Sequence, residues 1–246
     1  MFFADKAILI EGDTERILLP TMMKKLDIQN SASDLIDKKI PLLSQNISII
    51  EVGAFSQIFE LFIDFIGIKS LIITDLDAVQ MKTVQNKNGK DRLVAEACRV
   101  SIGTDFSNTS LKYFLKGKTL EDLKTLPLEE KCLIKDSSGW VPNINGILCI
   151  VYQTECNSYF PRSFEDSFFA ITKNLDLVKK KLARFRGIKN PRYFGDSSKD
   201  VYDLANECID KKTHFALDII YNSNDDYSNW DIPQYIEEGI LWLKEN

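Results

Sequence analysis

Short apolar runs alternate with helix-like segments along the N-terminal third of the chain. The run at residues 7–10 is continuously apolar, which is typical of a strand buried on both faces, and further apolar runs occur at residues 47–52 and 71–73. Apolar residues at helical spacing over residues 15–26 and 56–66 predict a helix after each of the first two strands. This order predicts an α/β fold with a central parallel sheet flanked by helices, whose ligands bind at the carboxyl ends of the strands.

The remaining sequence predicts a less regular architecture. The pattern weakens between residues 79 and 145, where we expect an inserted or lid-like segment with short helices near residues 110–115 and 120–126. Residues 146–152 predict a further strand, followed by a helix that reaches about residue 186. Residues 199–246 are expected to be mostly helical. The expected fold is therefore a parallel sheet with a helical insertion and a helical C-terminal part.

Composition limits the chemistry that the chain can perform. Its 246 residues are 44% hydrophobic, which suffices for a sizeable core. The single histidine, His214, and five scattered cysteines without a Cys-x-x-Cys pair argue against zinc sites and Ser-His-Asp hydrolysis. Carboxylates and lysines must therefore carry any catalysis. We also expect a cytoplasmic protein without a membrane partner, because no signal segment or long apolar stretch occurs.

The net charge of −5 does not by itself indicate nucleic-acid binding. Bound cations, however, neutralise the negative charge of a carboxylate-built metal site, so net charge is a weak argument here. A local basic run, Lys179–Lys181 with Arg184 and Arg186, could lie along a phosphate backbone. The alternative is a solvated helix face.

Four carboxylates lie where two of the predicted strands end. Glu11 and Glu15 straddle the turn from the first strand into its helix, and Asp75 and Asp77 follow the third strand. A spacing of two places the side chains of Asp75 and Asp77 on the same side of an extended segment. They would repel each other unless a cation, an arginine or a lysine neutralised them. Carboxylate oxygens are the ligands that Mg²⁺ and Mn²⁺ prefer.

These residues also carry a family resemblance. ILIEGDTE (residues 8–15) with IITDLD (residues 72–77) resembles the two signatures of a Toprim domain. More narrowly, residues 2–20 resemble the C-terminal part of OLD-family (overcoming lysogenization defect) nucleases. RSFEDSF (residues 162–168) and KKTHFA (residues 211–216) resemble later motifs of that family. The four stretches occur in the family's order and span nearly the whole chain.

The resemblance implies a role for each acidic residue. It implies that Glu11, Asp75 and Asp77 hold one Mg²⁺ or Mn²⁺ ion, with Glu11 also counted as catalytic. Glu15 and Glu165 would hold or orient a second ion in a two-metal mechanism.

Further roles follow for a serine and a lysine. Ser163 would assist at the second ion, and Lys212 would be the catalytic lysine, with Lys211 as the alternative. On the residues alone, Ser163 with Asp166 equally fits a helix cap, and Glu15 equally suits a first helical turn.

The function implied by the resemblance is DNA endonuclease activity in a longer protein, tied to phage defence or DNA repair. An N-terminal ATPase domain would precede this region and would bring in ATP, since no Gly-x-x-x-x-Gly-Lys-Ser/Thr loop occurs here. Self-association into a homo-oligomer is a further possible arrangement. The alternatives are a haloacid-dehalogenase-like phosphatase, using Asp75 and Asp77, and a non-catalytic module that docks nucleic acid or the ATPase.

Overall fold

A computed structural model describes residues 4–31, 40–85 and 89–244. Residues 2–3 of the family resemblance therefore lie outside the described residues. The strands are β1 (Lys6–Ile10), β2 (Ile47–Glu51), β3 (Lys69–Ile73), β4 (Ala78–Gln85), β5 (Asp91–Ala97), β6 (Asp105–Phe106), β7 (Cys132–Asp136), β8 (Gly139–Pro142) and β9 (Leu148–Val151). The α-helices are α1 (Asp13–Ser31), α2 (Glu60–Ile66), α3 (Thr109–Phe114), α4 (Leu120–Thr125), α5 (Leu128–Lys131), α6 (Phe164–Ala170), α7 (Thr172–Lys180), α8 (Val201–Cys208), α9 (Lys212–Asn222) and α10 (Gln234–Lys244).

The main sheet has the strand order β2-β1-β3-β9-β7-β8. The first four strands are parallel, and β7 and β8 extend the sheet in antiparallel fashion. The chain passes from β1 to β2 on one side and then returns to β3 on the other side of β1. Such a reversal opens a crevice at the carboxyl ends of β1 and β3, where ligands of α/β sheets bind.

Strands β1, β3 and β9 are buried on both faces, which explains their nearly continuous apolar sequences, whereas the edge strand β2 is only partly buried. Ile8 and Ile10 of β1 pack into one core cluster with α1 and the C-terminal helices. Ala7 and Leu9 alternate into a second cluster on the opposite face, with α2, α3 and α4. Helix α10 lies so close to the sheet that a Cβ on Gly239 would come within 2.8 Å of Leu71 Cδ1.

The expected central sheet, its flanking helices and the helical C-terminal part are confirmed. The segment predicted as an insertion differs from the expectation, because it holds strands as well as the two expected short helices. Its β7 and β8 join the main sheet, while β4, β5 and β6 form a separate antiparallel sheet. The helix expected to reach residue 186 is interrupted, since Ile171 is extended between α6 and α7. None of the helices in the described ranges is both long and apolar enough to cross a membrane.

Candidate metal-binding site

Glu11 lies just beyond the carboxyl end of β1. Its Oε1 accepts hydrogen bonds from the Thr74 hydroxyl, from Asn108 Nδ2 at 2.8 Å and from the Asp75 backbone N–H at 3.4 Å. Asn108 Nδ2 also donates to Thr74 Oγ1 at 2.8 Å. The ends of β1 and β3 are therefore joined by one polar network, with the Glu11 carboxylate at its centre.

Asp75 lies at the end of β3, next to this network. Its Oδ1 accepts hydrogen bonds from Gln153 Nε2 at 2.7 Å and from the Phe164 backbone N–H at 3.1 Å. Gln153 follows β9 and is itself fixed, because its Oε1 accepts from the Leu76 backbone N–H at 2.7 Å. Three adjacent parallel strands thus contribute side chains to the same edge of the sheet.

Asp77 occupies a different environment from Asp75. Its Oδ1 lies 2.6 Å from Arg162 Nη2, and its backbone has a φ of 53°. The extended geometry expected from the Asp75–Asp77 spacing therefore ends before Asp77. Arg162 is thus one of the neutralising partners that the sequence predicted for these two aspartates.

A second group of charges lies at the N-terminal ends of three helices. Glu15 and Glu165 are buried in the first turns of α1 and α6. Lys212, the first residue of α9, places its Nζ 3.0 and 3.1 Å from the two carboxylate oxygens of Glu165. The side chain of Lys212 is 63% exposed, whereas that of Glu165 is only 5% exposed. Lys211 precedes α9 at its exposed N-cap position.

Ser163 forms the helix-capping arrangement that was the alternative to metal binding. Its backbone N–H and its hydroxyl both donate to Asp166 Oδ1, at 2.7 and 2.9 Å. Asp166 Oδ2 accepts from the Arg162 backbone N–H and from the Tyr159 hydroxyl, each at 2.8 Å. Asp166 is therefore a structural residue, and a metal-binding role for Ser163 stays a prediction.

Burial, together with electrostatic repulsion, raises the pKa of three of these acids. Desolvation, followed by the charges of Glu11 and Glu15, raises the pKa of Asp75 well above its ordinary value. Desolvation also raises the pKa of Glu11, although hydrogen bonds from Thr74 and Asn108 oppose the shift. For Glu15, desolvation and the charge of Glu165 raise the pKa to about 7.

The surrounding acids also raise the pKa of Lys212, which favours its charged form. Desolvation would lower the pKa of its ammonium group, but the nearby Glu165 and Asp75 outweigh that effect and raise the pKa. Lys212 is therefore a cation at neutral pH and cannot serve as a general base there.

The donor set suits a hard divalent cation, because it consists of carboxylate oxygens that carry more negative charge than the nearby lysine and arginine offset. Within residues 4–31, 40–85 and 89–244, no three His, Cys, Asp or Glu side chains already converge as a complete ligand set. Asp77, in particular, is paired with Arg162. Metal binding would therefore involve a local rearrangement of the carboxylates.

The structure adds residues that the sequence patterns did not reveal. Asn108, Gln153 and Arg162 each touch one of the predicted metal ligands. Gln153 directly follows a predicted strand, so the strand-end argument that selected Glu11 could have found it. The sequence signal for Asn108 is weaker, because an Asn at this position also predicts a helix N-cap. Asn108 does cap α3, since its Oδ1 accepts a hydrogen bond from the Leu111 backbone N–H.

Residues 2–77 match a family model described as the TOPRIM domain of overcoming lysogenization defect protein-like proteins. This part of the chain is similar to the OLD-like TOPRIM family. The match contains Glu11, Glu15, Asp75 and Asp77. The matched segment thus supplies β1, β2, β3 and four of the predicted ligands, whereas Glu165 and Lys212 come from the later helices.

Two similar proteins extend the comparison beyond the OLD-like TOPRIM domain. Endonuclease GajA of Bacillus cereus (strain HuB5-5) is 24% identical over 251 residues, which cover 99% of this chain and 32% of GajA. This chain thus spans about a third of the length of that relative. The C-terminal region of the Burkholderia pseudomallei OLD protein has a similar fold, with a TM-score of 0.51 and 17% identity over 98% of both chains.

We expect the stability of the metal-free protein to fall as the pH rises. Between pH 4.5, the ordinary pKa of Glu15, and about pH 7, the folded state holds a proton that the unfolded state has lost. The contribution of Glu15 to the free energy of unfolding is therefore greatest below pH 4.5. It decreases by roughly 1–3 kcal/mol as the pH rises to about 7. Chemical unfolding in EDTA at pH 5 and pH 8 measures the effect.

A Glu15→Gln variant isolates this contribution. We expect it to match the wild type at pH 5 and to exceed its unfolding free energy at pH 8. Mg²⁺ should restore the stability of the wild type at pH 8 more than that of the variant. Equal pH dependence of the two proteins would show that Glu15 does not destabilise the folded state at high pH.

Asn108→Ser should weaken metal binding without a large loss of stability. Serine retains a helix-capping oxygen for α3 but cannot reach Glu11, so the Glu11 carboxylate loses a donor that orients it. Titration of Mg²⁺ or Mn²⁺ should show an affinity lower by about 10-fold. Thr119→Ala, which removes the cap of α4 instead, is the control. Equal metal affinity in the two variants would contradict the orienting role.

Proposed function

We propose that this chain is the catalytic part of a metal-dependent DNA endonuclease. One observation carries the proposal: Glu11 and Asp75, from distant parts of the sequence, meet at the carboxyl ends of β1 and β3. The OLD-like TOPRIM family and the similarity to an endonuclease support the same activity. DNA as substrate, an N-terminal ATPase domain and self-association remain predictions for the full-length protein.

In this proposal, two groups of residues hold divalent ions. Glu11, Asp75 and Asp77 would hold one Mg²⁺ or Mn²⁺ ion, and Glu15 and Glu165 would hold a second. Bound ions supply a water of lowered pKa and offset charge on the phosphate oxygens. The amides of Asn108 and Gln153 orient Glu11 and Asp75 before any ligand arrives.

Lys212 complements the acids in this proposal. Its raised pKa keeps the ammonium group charged, and its exposed side chain is accessible to a substrate. A fixed positive charge next to a reacting phosphate stabilises the negative charge that develops on the phosphoryl oxygens. Lys212 would therefore act electrostatically rather than by accepting a proton.

The phosphatase alternative fits the site less well. Two hydrogen bonds, from Gln153 and from the Phe164 backbone N–H, hold Oδ1 of Asp75, which would be the nucleophile. Asp77, which would be the acid partner, is held as an ion pair by Arg162. Glu11, which accepts a hydrogen bond from the Asp75 backbone N–H, would have no role in a phosphatase.

We expect the protein to nick or linearise supercoiled plasmid in Mg²⁺ or Mn²⁺ and to be inactive in EDTA. Glu11→Gln and Asp75→Asn should each lower the cleavage rate by at least about 100-fold, because each removes a charged ligand. Glu129→Gln changes an exposed acid of α5 and should leave the rate unchanged. Cleavage in EDTA, or full activity of Glu11→Gln, would refute the metal-dependent mechanism. Hydrolysis of a small phosphomonoester without plasmid cleavage would favour the phosphatase.

A second experiment separates the two adjacent lysines. Lys212→Ala should slow cleavage by roughly 100-fold, because it removes the charge next to Glu165. The rise in melting temperature on adding Mg²⁺ should persist, since the carboxylates are intact. Lys211→Ala should cleave at the wild-type rate. If Lys212→Ala were fully active, the electrostatic role would have to lie elsewhere.

A further inference from the structure

A two-stranded ribbon, formed by β4 and β5, extends away from the rest of the protein. The strands pair from Val79 opposite Ala97 to Gln85 opposite Asp91. Only the first two residues of β4 also pair with β6. Along the remainder, nearly all side chains of both strands are exposed, so the ribbon contributes little to the core. An isolated pair of strands is at best marginally stable, which suggests that the ribbon has another role.

The two faces of the ribbon differ in charge. Lys82 and Arg92 lie on one face, because paired residues of antiparallel strands share a face and alternate residues return to it. The acidic member of this face is Glu96, whose carboxylate pairs with Lys82 at 3.1 Å. The opposite face carries Asp91 and the exposed apolar side chains of Met81 and Leu93.

The base of the ribbon is attached to the candidate metal-binding site. Strand β4 begins at Ala78, immediately after Asp77. Arg162, the ion-pair partner of Asp77, also donates from Nε to the Ala78 carbonyl at 3.2 Å. The Ser107 backbone N–H donates to the Asp77 carbonyl at 2.9 Å. The orientation of the ribbon is therefore set by the same residues that hold Asp77.

The dimensions of the ribbon suit a nucleic-acid duplex. Seven residues at about 3.4 Å each give a reach of roughly 24 Å from its base. This distance corresponds to about seven base pairs at roughly 3.4 Å per pair. The major groove of B-DNA, about 12 Å wide, admits a two-stranded β-ribbon. Lys82 and Arg92 would then meet phosphates on one side of the cleavage point.

We propose that the basic face of the β4–β5 ribbon binds the groove of double-stranded DNA next to the cleavage position, an inference that rests on the proposed nuclease function. The ribbon supplies cations close to a site that is otherwise strongly acidic, and it offsets the repulsion between the carboxylates and the DNA backbone. It also makes duplex on one side of the cleavage point part of the substrate.

The basic run of α7 is a less suitable contact. Lys181 is used internally, because its Nζ donates to the Asn222 carbonyl at 2.8 Å. Lys179 and Lys180 lie in the last turn of α7, which favours cations even when no ligand is bound. These two exposed lysines therefore provide a matched control for the ribbon.

The test compares two double variants for binding to a fluorescent 30-base-pair duplex in Mg²⁺, on a Glu11→Gln background that prevents cleavage. Lys82→Gln with Arg92→Gln removes two cations from the ribbon, and Lys179→Gln with Lys180→Gln removes two from α7. We expect the ribbon variant to bind about 10-fold more weakly near 0.15 M salt, and the slope of log affinity against log salt to fall in magnitude by about two. The α7 variant should match its parent.

Other results would overturn the proposal. Unchanged affinity and salt slope in the ribbon variant would exclude the ribbon as a contact. Equal weakening by both variants would indicate a general charge effect, and an equal loss for a 30-nucleotide single strand would exclude groove binding. Plasmid cleavage by the wild type is measured separately, so a failure of the nuclease function is distinguishable from a failure of the ribbon. If the ribbon variant did not affect DNA binding and the protein dimerised through Met81 and Leu93, the ribbon would instead be an interface between two copies of the chain.

Discussion

Repulsion among carboxylates at the edge of the main sheet governs the organisation of this protein. Asp75 is surrounded by the charges of Glu11, Glu15, Glu165 and Asp77. Two like charges about 4 Å apart repel by roughly 4 kcal/mol near a protein surface, whereas a whole domain is stable by only about 5–15 kcal/mol. Such a cluster survives folding because protons, neighbouring cations and hydrogen-bond donors reduce the repulsion.

Residues from different parts of the chain reduce the repulsion among the carboxylates. Arg162 neutralises Asp77, and Lys212 neutralises Glu165. Buried amides, from Asn108 and Gln153, bind carboxylate oxygens without adding charge. The cluster is thereby held together while retaining excess negative charge, which is the condition under which a divalent cation binds most favourably.

The sequence predicted the parallel core of the fold well, because β1 and β3 are buried on both faces and the edge strand β2 is still mostly apolar. It predicted β4 and β5 poorly, since exposed strands lack the hydrophobic pattern from which strands are recognised. Glu11 and Asp75 could be placed together by the rule for strand ends. The Asp77–Arg162 pair could not, because it depends on a left-handed backbone conformation and on a contact between residues far apart in the sequence.

The OLD-like TOPRIM match ends at Asp77, but the main sheet also contains strands from later in the chain. Strand β3 is completed on its far side by β9, which arrives some seventy residues later. A polypeptide cut after the match would leave the backbone of β3 as an open, apolar edge, and edges of that kind recruit strands from other molecules. A fragment that is meant to fold on its own should therefore contain the whole sheet with its later helices rather than the matched segment alone.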